Sequence, residues 1–212
     1  MQVILFEDLM QAKEKKADST GALVKSVSDD QYQIIKDIVK LYAPDGFDID
    51  PTYSKGVFYK SGEIAQPRLK FDLFPQTEDT IKANANNLPF ENDTFDYYII
   101  SFGIRNVTDI DKSLNEAYRV LKNGGRFFCL EFSKVENELL KNIYKKYSRL
   151  IPKIGKFIAG SDMPYEYLVE SIEKFYNQEE FSKKLVDNSF ANVEHRNLTN
   201  GIAAIHTGWK IE

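Results

Sequence analysis

Hydrophobic positions recur along this chain with two periods, and the alternation between them sets the expected order of elements. Ile34, Ile35, Ile38, Val39, Leu41 and Tyr42 return at helical spacing, and Ser28 with Gln31 makes a capping box in front of them. Pro44-Asp45-Gly46 ends that helix. Residues 47–58, FDIDPTYSKGVF, read as a strand running into a loop that contains Gly56, and 69–74, LKFDLF, as a second short strand closed by Pro75. A weak helical signal follows over 77–83. The densest apolar run is Tyr97-Tyr98-Ile99-Ile100 within FDYYIISFGIRN (95–106), apolar on both faces as a central parallel strand requires. Burial then ends abruptly in Ser101, Gly103, Arg105 and Asn106.

Downstream the alternation is clearer. Asp109 can cap a helix carrying Leu114, Ala117, Tyr118 and Leu121, which Gly124 and Gly125 end. A buried strand is expected over 127–132, and an amphipathic helix over 138–151 closed by Pro152. An apolar patch at 154–159 precedes two further helices at 165–175 and 178–186. Strands at 193–198 and 202–209 flank Thr199-Asn200-Gly201 and read as an antiparallel hairpin. The expected class is therefore α/β, a Rossmann-like sheet, mostly parallel with a C-terminal antiparallel hairpin and helices on both faces. Residues 1–27 read as a solvated, mobile N-terminal appendage, and 28–212 as one domain.

Composition narrows the chemistry. With 212 residues, 42% hydrophobic and 28% charged, the chain can bury a substantial core. A net charge of -4 gives no global drive towards nucleic acid or acidic membranes, although 141–149 carries a local basic patch. Cys129 is the sole cysteine, which excludes internal disulfides and multi-cysteine metal sites. No apolar run is long enough to span a bilayer, and Met1 is not followed by a signal-peptide pattern, so a cytoplasmic location is expected.

Several chemistries lack their motifs. There is no GxxxxGK[ST], no GxGxxG after a strand and no Gly-x-Ser-x-Gly elbow. His195 and His206 have no metal-ligand partner at useful spacing and read as structural or surface residues. What remains is a row of polar residues at the ends of successive strands, where open α/β sheets bind ligands. Asp48 and Asp50 close the first, Asp72 sits in the second, Asn84-Ala85 precede the next turn, and Ser101 ends the buried strand. A carboxylate after the second strand suits ribose hydroxyls, at about 1.5–3 kcal/mol for each hydrogen bond to a charged group. The layout suits a nucleoside.

Particular segments also carry a family likeness. LPFENDTFD (88–96), SFGIRNVTD (101–109), AYRVLKNGGRFFCLEFS (117–133), YEYLVESI (165–172) and NLTNGIAAIH (197–206) resemble the ubiquinone/menaquinone biosynthesis C-methyltransferases, a class I S-adenosylmethionine-dependent family. That resemblance covers 84–211, with Asn123 where the family usually has proline. The family's Tyr-Asp-x-Met-Asn motif and Asp-x-x-x-Gly-x-Gly loop are missing. Residues 42–60 and 70–80 are instead similar to small phage-type DNA methyltransferases, in which a strand-Asp-Pro-x-x-x-x-Gly segment serves as the cofactor loop. Those proteins' Asp-Pro-Pro-Phe is replaced by Ile100-Ser101-Phe102-Gly103, so the chain resembles a hybrid.

The resemblance implies a class I methyltransferase sheet and S-adenosyl-L-methionine as cofactor. Asp72 would hold the ribose, Asn84 and Ala85 the adenine, and Ser101 the cofactor side of the central strand. Asp50 and Gly56 would belong to the replacement loop. Arg105 and Asn106 would be catalytic, beside a demethylated polyprenyl quinol whose ring carbon takes the methyl group. Residues 151–167 would cover its tail. Peripheral contact with the inner membrane would follow from the lipid substrate, no nucleic-acid partner is favoured, and homodimerisation stays open. The competing readings are a DNA methyltransferase-like protein and a non-catalytic methyltransferase-like fold.

Overall fold

The computed structural model describes residues 31–135 and 163–211. The expected appendage, the capping residue Ser28, the helix at 138–151 and the patch at 154–159 lie outside the described residues. Within them the elements are α1 (Gln31–Tyr42), β1 (Ile49–Asp50), β2 (Leu69–Asp72), β3 (Ile81–Lys82), β4 (Phe95–Ser101), α2 (Ile110–Val120), β5 (Leu121–Phe132), α3 (Met163–Lys174), α4 (Gln178–Asp187), β6 (Ala191–Leu198) and β7 (Ala203–Trp209). The strands form one sheet in the order β3-β2-β1-β4-β5-β7-β6. β1 to β5 run parallel, and β7 lies antiparallel between β5 and β6. The expected mixed sheet is present, with the terminal pair on one flank.

The central strands explain the order. Side chains alternate across a strand, so Tyr98 and Ile100 of β4 join Phe127 and Cys129 of β5 in one cluster. Ile99, Phe128 and Leu130 point to the other. α2 covers the first face with Leu114, Ala117 and Val120, and α4 adds Phe181 and Leu185. α1 covers the second with Ile35 and Ile38. Each such side chain contributes about 1.5–3 kcal/mol when fully buried. A strand sealed on both faces leaves its polar chemistry only at its ends.

Local capping follows the sequence. The Asp109 side chain accepts from Lys112 N–H at the start of α2. α4 carries a full capping box, with Asn177 accepting from Glu180 N–H and Glu180 accepting from Asn177 N–H.

Four expectations change. The weak helix over 77–83 is not formed: Ile81–Lys82 instead pairs with Phe71–Asp72, because ladder bonds to a neighbouring strand outweigh a marginal helical preference. The first strand is only Ile49–Asp50: Asp48 before it still exchanges backbone bonds with Tyr97 and Leu69, and Pro51 after it has no N–H to continue the ladder. α2 ends at Val120 rather than at the glycines. Leu121 is already extended and pairs with Phe95, and Gly124 (φ 79) lies within β5 in the register shift before Arg126 pairs with Tyr97. Asp48 does not sit at the ligand end of β1. It is buried at the strand's start, where it accepts from Asp96 N–H and Tyr97 N–H at 2.9 and 3.0 Å and from Arg68 Nη1 at 2.7 Å, fastening β1 to β4.

The two histidines are structural. His206 Nε2 lies 3.0 Å from the Gln178 carbonyl, so Nε2 carries the proton and donates. Its ring packs edge-on against Phe181, and burial pushes its pKa down to about 4. His195 lies on β6 with Nδ1 3.1 Å from Ser182 Oγ. No described helix is long and apolar enough to cross a membrane. Because unfolded His206 protonates near 6.5 and the folded residue only near 4, acidification through that window favours unfolding. Denaturant melts at pH 7 and pH 5 should show wild type losing more stability than His206→Gln over the same interval.

Candidate functional site

Three adjacent strand ends define the site, because β1 lies between β2 and β4. Asp50, Asp72 and Ser101 are the last residues of these strands. Parallel strands present their carboxyl ends on one edge, so all three belong to the same rim.

Asp50 is buried. Its Oδ1 accepts from Thr52 N–H (3.0 Å) and from the Thr52 hydroxyl (3.3 Å), and Oδ2 accepts from the Tyr59 hydroxyl at 3.1 Å. Desolvation raises its pKa to about 6, and the nearby Asp72 carboxylate adds to the rise. The residue therefore shapes the loop from inside. Tyr59 and Tyr53 stack with centroids 5.5 Å apart, and the Tyr53 hydroxyl donates to Gln66 Oε1. Gly56 sits at φ 58 against the Tyr53 ring, where a Cβ would come within 2.2 Å of ring atoms. Glycine is needed there on both counts.

Asp72 receives two backbone donors. Phe74 N–H meets Oδ1 at 2.8 Å, and Ser54 N–H meets Oδ2 at 3.0 Å. Ser54 reaches it with φ 51, while Tyr53 N–H donates to the Phe71 carbonyl. The loop after β1 is thus tied to the end of β2. Each carboxylate oxygen retains a second lone pair, and Asp72 is half-buried, so its acceptor capacity is not exhausted.

Beyond β3, Asn84 Oδ1 accepts from Asn86 N–H and the Asn84 carbonyl from Asn87 N–H, forming a tight turn around buried Ala85. With its amide turned so that oxygen meets a donor and nitrogen an acceptor, Asn86 pairs with both backbone polar groups of Asp109. Arg119 on α2 holds the next stretch, donating to the carbonyls of Leu88 and Phe90 and to Asn92, while Glu116 accepts from Leu88 N–H. The arginine of the RVLK motif is a clamp on this loop.

Ser101 Oγ is buried without a hydrogen-bond partner among the described residues. Phe102 follows at φ 53, an uncommon conformation for a bulky residue, with its N–H on the Leu130 carbonyl. Gly103 abuts Thr52 so closely that a Cβ would lie 2.5 Å from Thr52 Oγ1, so the loops after β1 and β4 touch. Residues Ile104–Asn106 then make a single 3₁₀ turn. Arg105 does not project freely. Its guanidinium is 7% exposed and lies 3.4 Å from Glu131, which is 1% exposed, and Nη1 also donates to the Phe102 carbonyl. Glu131 Oε1 further accepts from Phe132 N–H, and burial raises its pKa to about 7. A buried pair of this kind adds little net stability, and its clearest effect is to fix geometry. Asn106 is exposed, and its Oδ1 accepts from the Tyr167 hydroxyl of α3 at 3.1 Å.

The rim therefore gathers Asp50, Gly56, Asp72, Asn84, Ala85 and Ser101, with Arg105 and Asn106 on the turn beyond β4. Sequence reading did not single out Glu131, although it lies in the AYRVLKNGGRFFCLEFS segment and is the one acid in the apolar stretch 127–132. It also placed Tyr167 only in a cover, with no partner to mark its hydroxyl. Among the described residues no cluster of three or more potential metal ligands occurs.

The sheet order is that of the Rossmann-like methyltransferase fold. Solved structures agree: a SAM-dependent methyltransferase of Thermotoga maritima has a TM-score of 0.58 at 19% identity, covering 84% of this chain and 88% of that one. Phosphoethanolamine N-methyltransferase 2 of Haemonchus contortus, solved with S-adenosylhomocysteine, has 0.56 at 14% identity over 83% of this chain and 52% of that one. The cyclase SpnF also shares the fold, with 0.58 at 13% identity over 84% and 81%. Fold alone therefore does not fix chemistry. The sequence is more specific: the chain belongs to the ubiE/COQ5 methyltransferase family, whose family model matches residues 61–210.

Named relatives are ubiquinone/menaquinone biosynthesis C-methyltransferases. That of Brucella canis is 56% identical over 132 residues, 62% of this chain and 49% of the relative. That of Bartonella quintana is 55% identical over 143 residues, 67% and 55% respectively. The chain spans about half the length of these curated relatives. The family match begins upstream of residue 84 and takes in β2 with Asp72, whereas Asp50 and Gly56 precede it.

Asp50 gives this rim a titration signature. The unfolded carboxyl ionises near 3.8 and the folded one near 6, so stability declines as pH rises between them, and the full penalty applies above 6. Asp50→Asn should be more stable relative to wild type at pH 8 than at pH 4.5, as read by urea unfolding at each pH.

Proposed function

We propose that this chain is an S-adenosylmethionine-dependent C-methyltransferase acting on a demethylated polyprenyl quinol. The observation that carries the reading is Asp72. It is a half-buried carboxylate at the end of β2, inside the family match and beside the Asn84–Ala85 turn. This is the acceptor that a ribose with two adjacent hydroxyls requires.

The residues fit the cofactor on two counts. Asp72 keeps lone pairs beyond those used by Ser54 and Phe74, and Ser101 Oγ is a buried polar atom without a protein partner among the described residues. Asp72 would hold the ribose, Asn84 and Ala85 the adenine, and Ser101 with the loop from Asp50 to Gly56 the remainder. Bound there, S-adenosylmethionine supplies an electrophilic methyl group on a sulfonium. The chain's own task is alignment. Orientation of two bound reactants can account for about 7–11 kcal/mol of a barrier.

Arg105 and Asn106 lie on the acceptor side of the turn. The guanidinium, held by Glu131, would place a fixed positive charge near an acceptor oxygen and favour its phenolate character. The Asn106 amide would hold a hydroxyl or a proton-accepting water. Of the expected tail cover at 151–167, residues 151–162 lie outside the described residues, and the start of α3 would supply the rest. The relatives' names support the quinol as acceptor, and the charge of -4 disfavours duplex DNA. A cytoplasmic protein that touches the inner membrane through its lipid substrate follows from this reading.

Isothermal titration of S-adenosylmethionine into the chain should show saturable binding. Asp72→Ala should weaken it by roughly 10- to 100-fold, as loss of hydrogen bonds to a charged group predicts. Radiolabelled methyl should then appear on a demethylated quinol and not on duplex DNA. Absence of binding heat, or label on DNA alone, would contradict the proposal.

A further inference from the structure

Tyr167 is an exposed aromatic on α3, with 57% of its surface accessible. Packing does not explain it, because α3 buries Ile172, and Phe175 just beyond its end joins the core. Its hydroxyl instead crosses to the turn after β4 and donates to Asn106 Oδ1 at 3.1 Å. The backbone of Asn106 is already fixed by its own N–H on the Gly103 carbonyl. An amide has one acceptor end and one donor end. Engaging Oδ1 from α3 therefore turns the Nδ2 donors away from Tyr167.

The helix that presents Tyr167 is itself anchored. Lys134, two residues after β5, donates through Nζ to the carbonyls of Ile172 and Glu173 at 2.7 and 2.6 Å, closing the C-terminus of α3. Gln178 Nε2 then donates to the Lys134 carbonyl and to Asn197 Oδ1. The far end of α3 is thus bound to the segment after β5, which α4 links to β6 through Gln178, while its near end reaches the turn. Glu131 on β5 sets Arg105 from inside the sheet. Tyr167 sets Asn106 from outside.

We propose that Tyr167 is a positioning residue on the acceptor side, its hydroxyl fixing the Asn106 amide with the N–H end towards an oxygen of a phenolic methyl acceptor. The inference rests on the function proposed above. Without the hydroxyl the amide can rotate by half a turn and present Oδ1, which repels an acceptor oxyanion. The contact therefore acts on turnover and not on folding or cofactor binding.

Kinetics of Tyr167→Phe, Asn106→Ala and the double variant, with S-adenosylmethionine and a short-chain demethylated quinol, test the assignment. Tyr167→Phe should lower kcat by at least about fivefold, the scale of one lost neutral hydrogen bond. Its Tm and its calorimetric affinity for S-adenosylmethionine should match wild type. The double variant should be no slower than Asn106→Ala, since the hydroxyl acts only through that amide. A Tyr167→Phe kcat within about twofold of wild type, or two losses that multiply, would overturn the inference while leaving the methyltransferase reading intact. A wild-type chain that gives no heat with S-adenosylmethionine would overturn both.

Discussion

Everything in this fold depends on the burial of β4 from both sides. Its neighbours β1 and β5 satisfy its backbone, and two apolar clusters seal its faces. A strand so enclosed keeps its charged and ligand-facing side chains to its ends. Exposed Asp96 lies at its start and Ser101 is its last residue, and the next five residues contain a left-handed phenylalanine, a glycine in contact with Thr52, an arginine and an asparagine. The site is what the chain does on release from the core.

Two kinds of polar bond then shape that release. Carboxylates inside the protein hold backbone in place: Asp48 at the base of the sheet, Asp50 under the loop after β1, and Glu131 behind the turn after β4. Asp72 alone among these is half-buried rather than fully buried, with acceptor capacity left over. The same residue type thus does structural work where desolvation is complete and is offered to a ligand where it is not. Asp50 and Glu131 carry the burden in their raised pKa values, about 6 and about 7.

Much of this was legible in the chain. The 3.6 periodicity gave α1, α2 and α4, continuous apolar runs gave the β4–β5 core, and Asp109 marked its own helix start. The terminal hairpin followed from the spacing of two strands around Thr199-Asn200-Gly201. What escaped was decided by partners distant in sequence. Ile81–Lys82 became a strand because β2 was there to pair with it. Asp48 read as a strand-end acid until Asp96 and Tyr97 supplied donors from 48 and 49 residues away. Arg105 read as a residue beside the acceptor, and nothing local announces that Glu131, 26 residues on, holds its guanidinium. Asp72 and Ser101 end their strands and Asn84-Ala85 follow β3, positions that follow from strand order, whereas side-chain engagement does not.

The central claim is that the ends of β1, β2 and β4 together form a nucleoside-binding rim. Amide NMR during titration with S-adenosylhomocysteine addresses it directly, since the N–H groups of Ser54 and Phe74 report on the two oxygens of Asp72. The largest shifts should fall on Ser54, Phe74, Ala85 and Phe102, with β6 and β7 little changed. Shifts confined to the β6–β7 flank, or none at all at millimolar ligand, would contradict it.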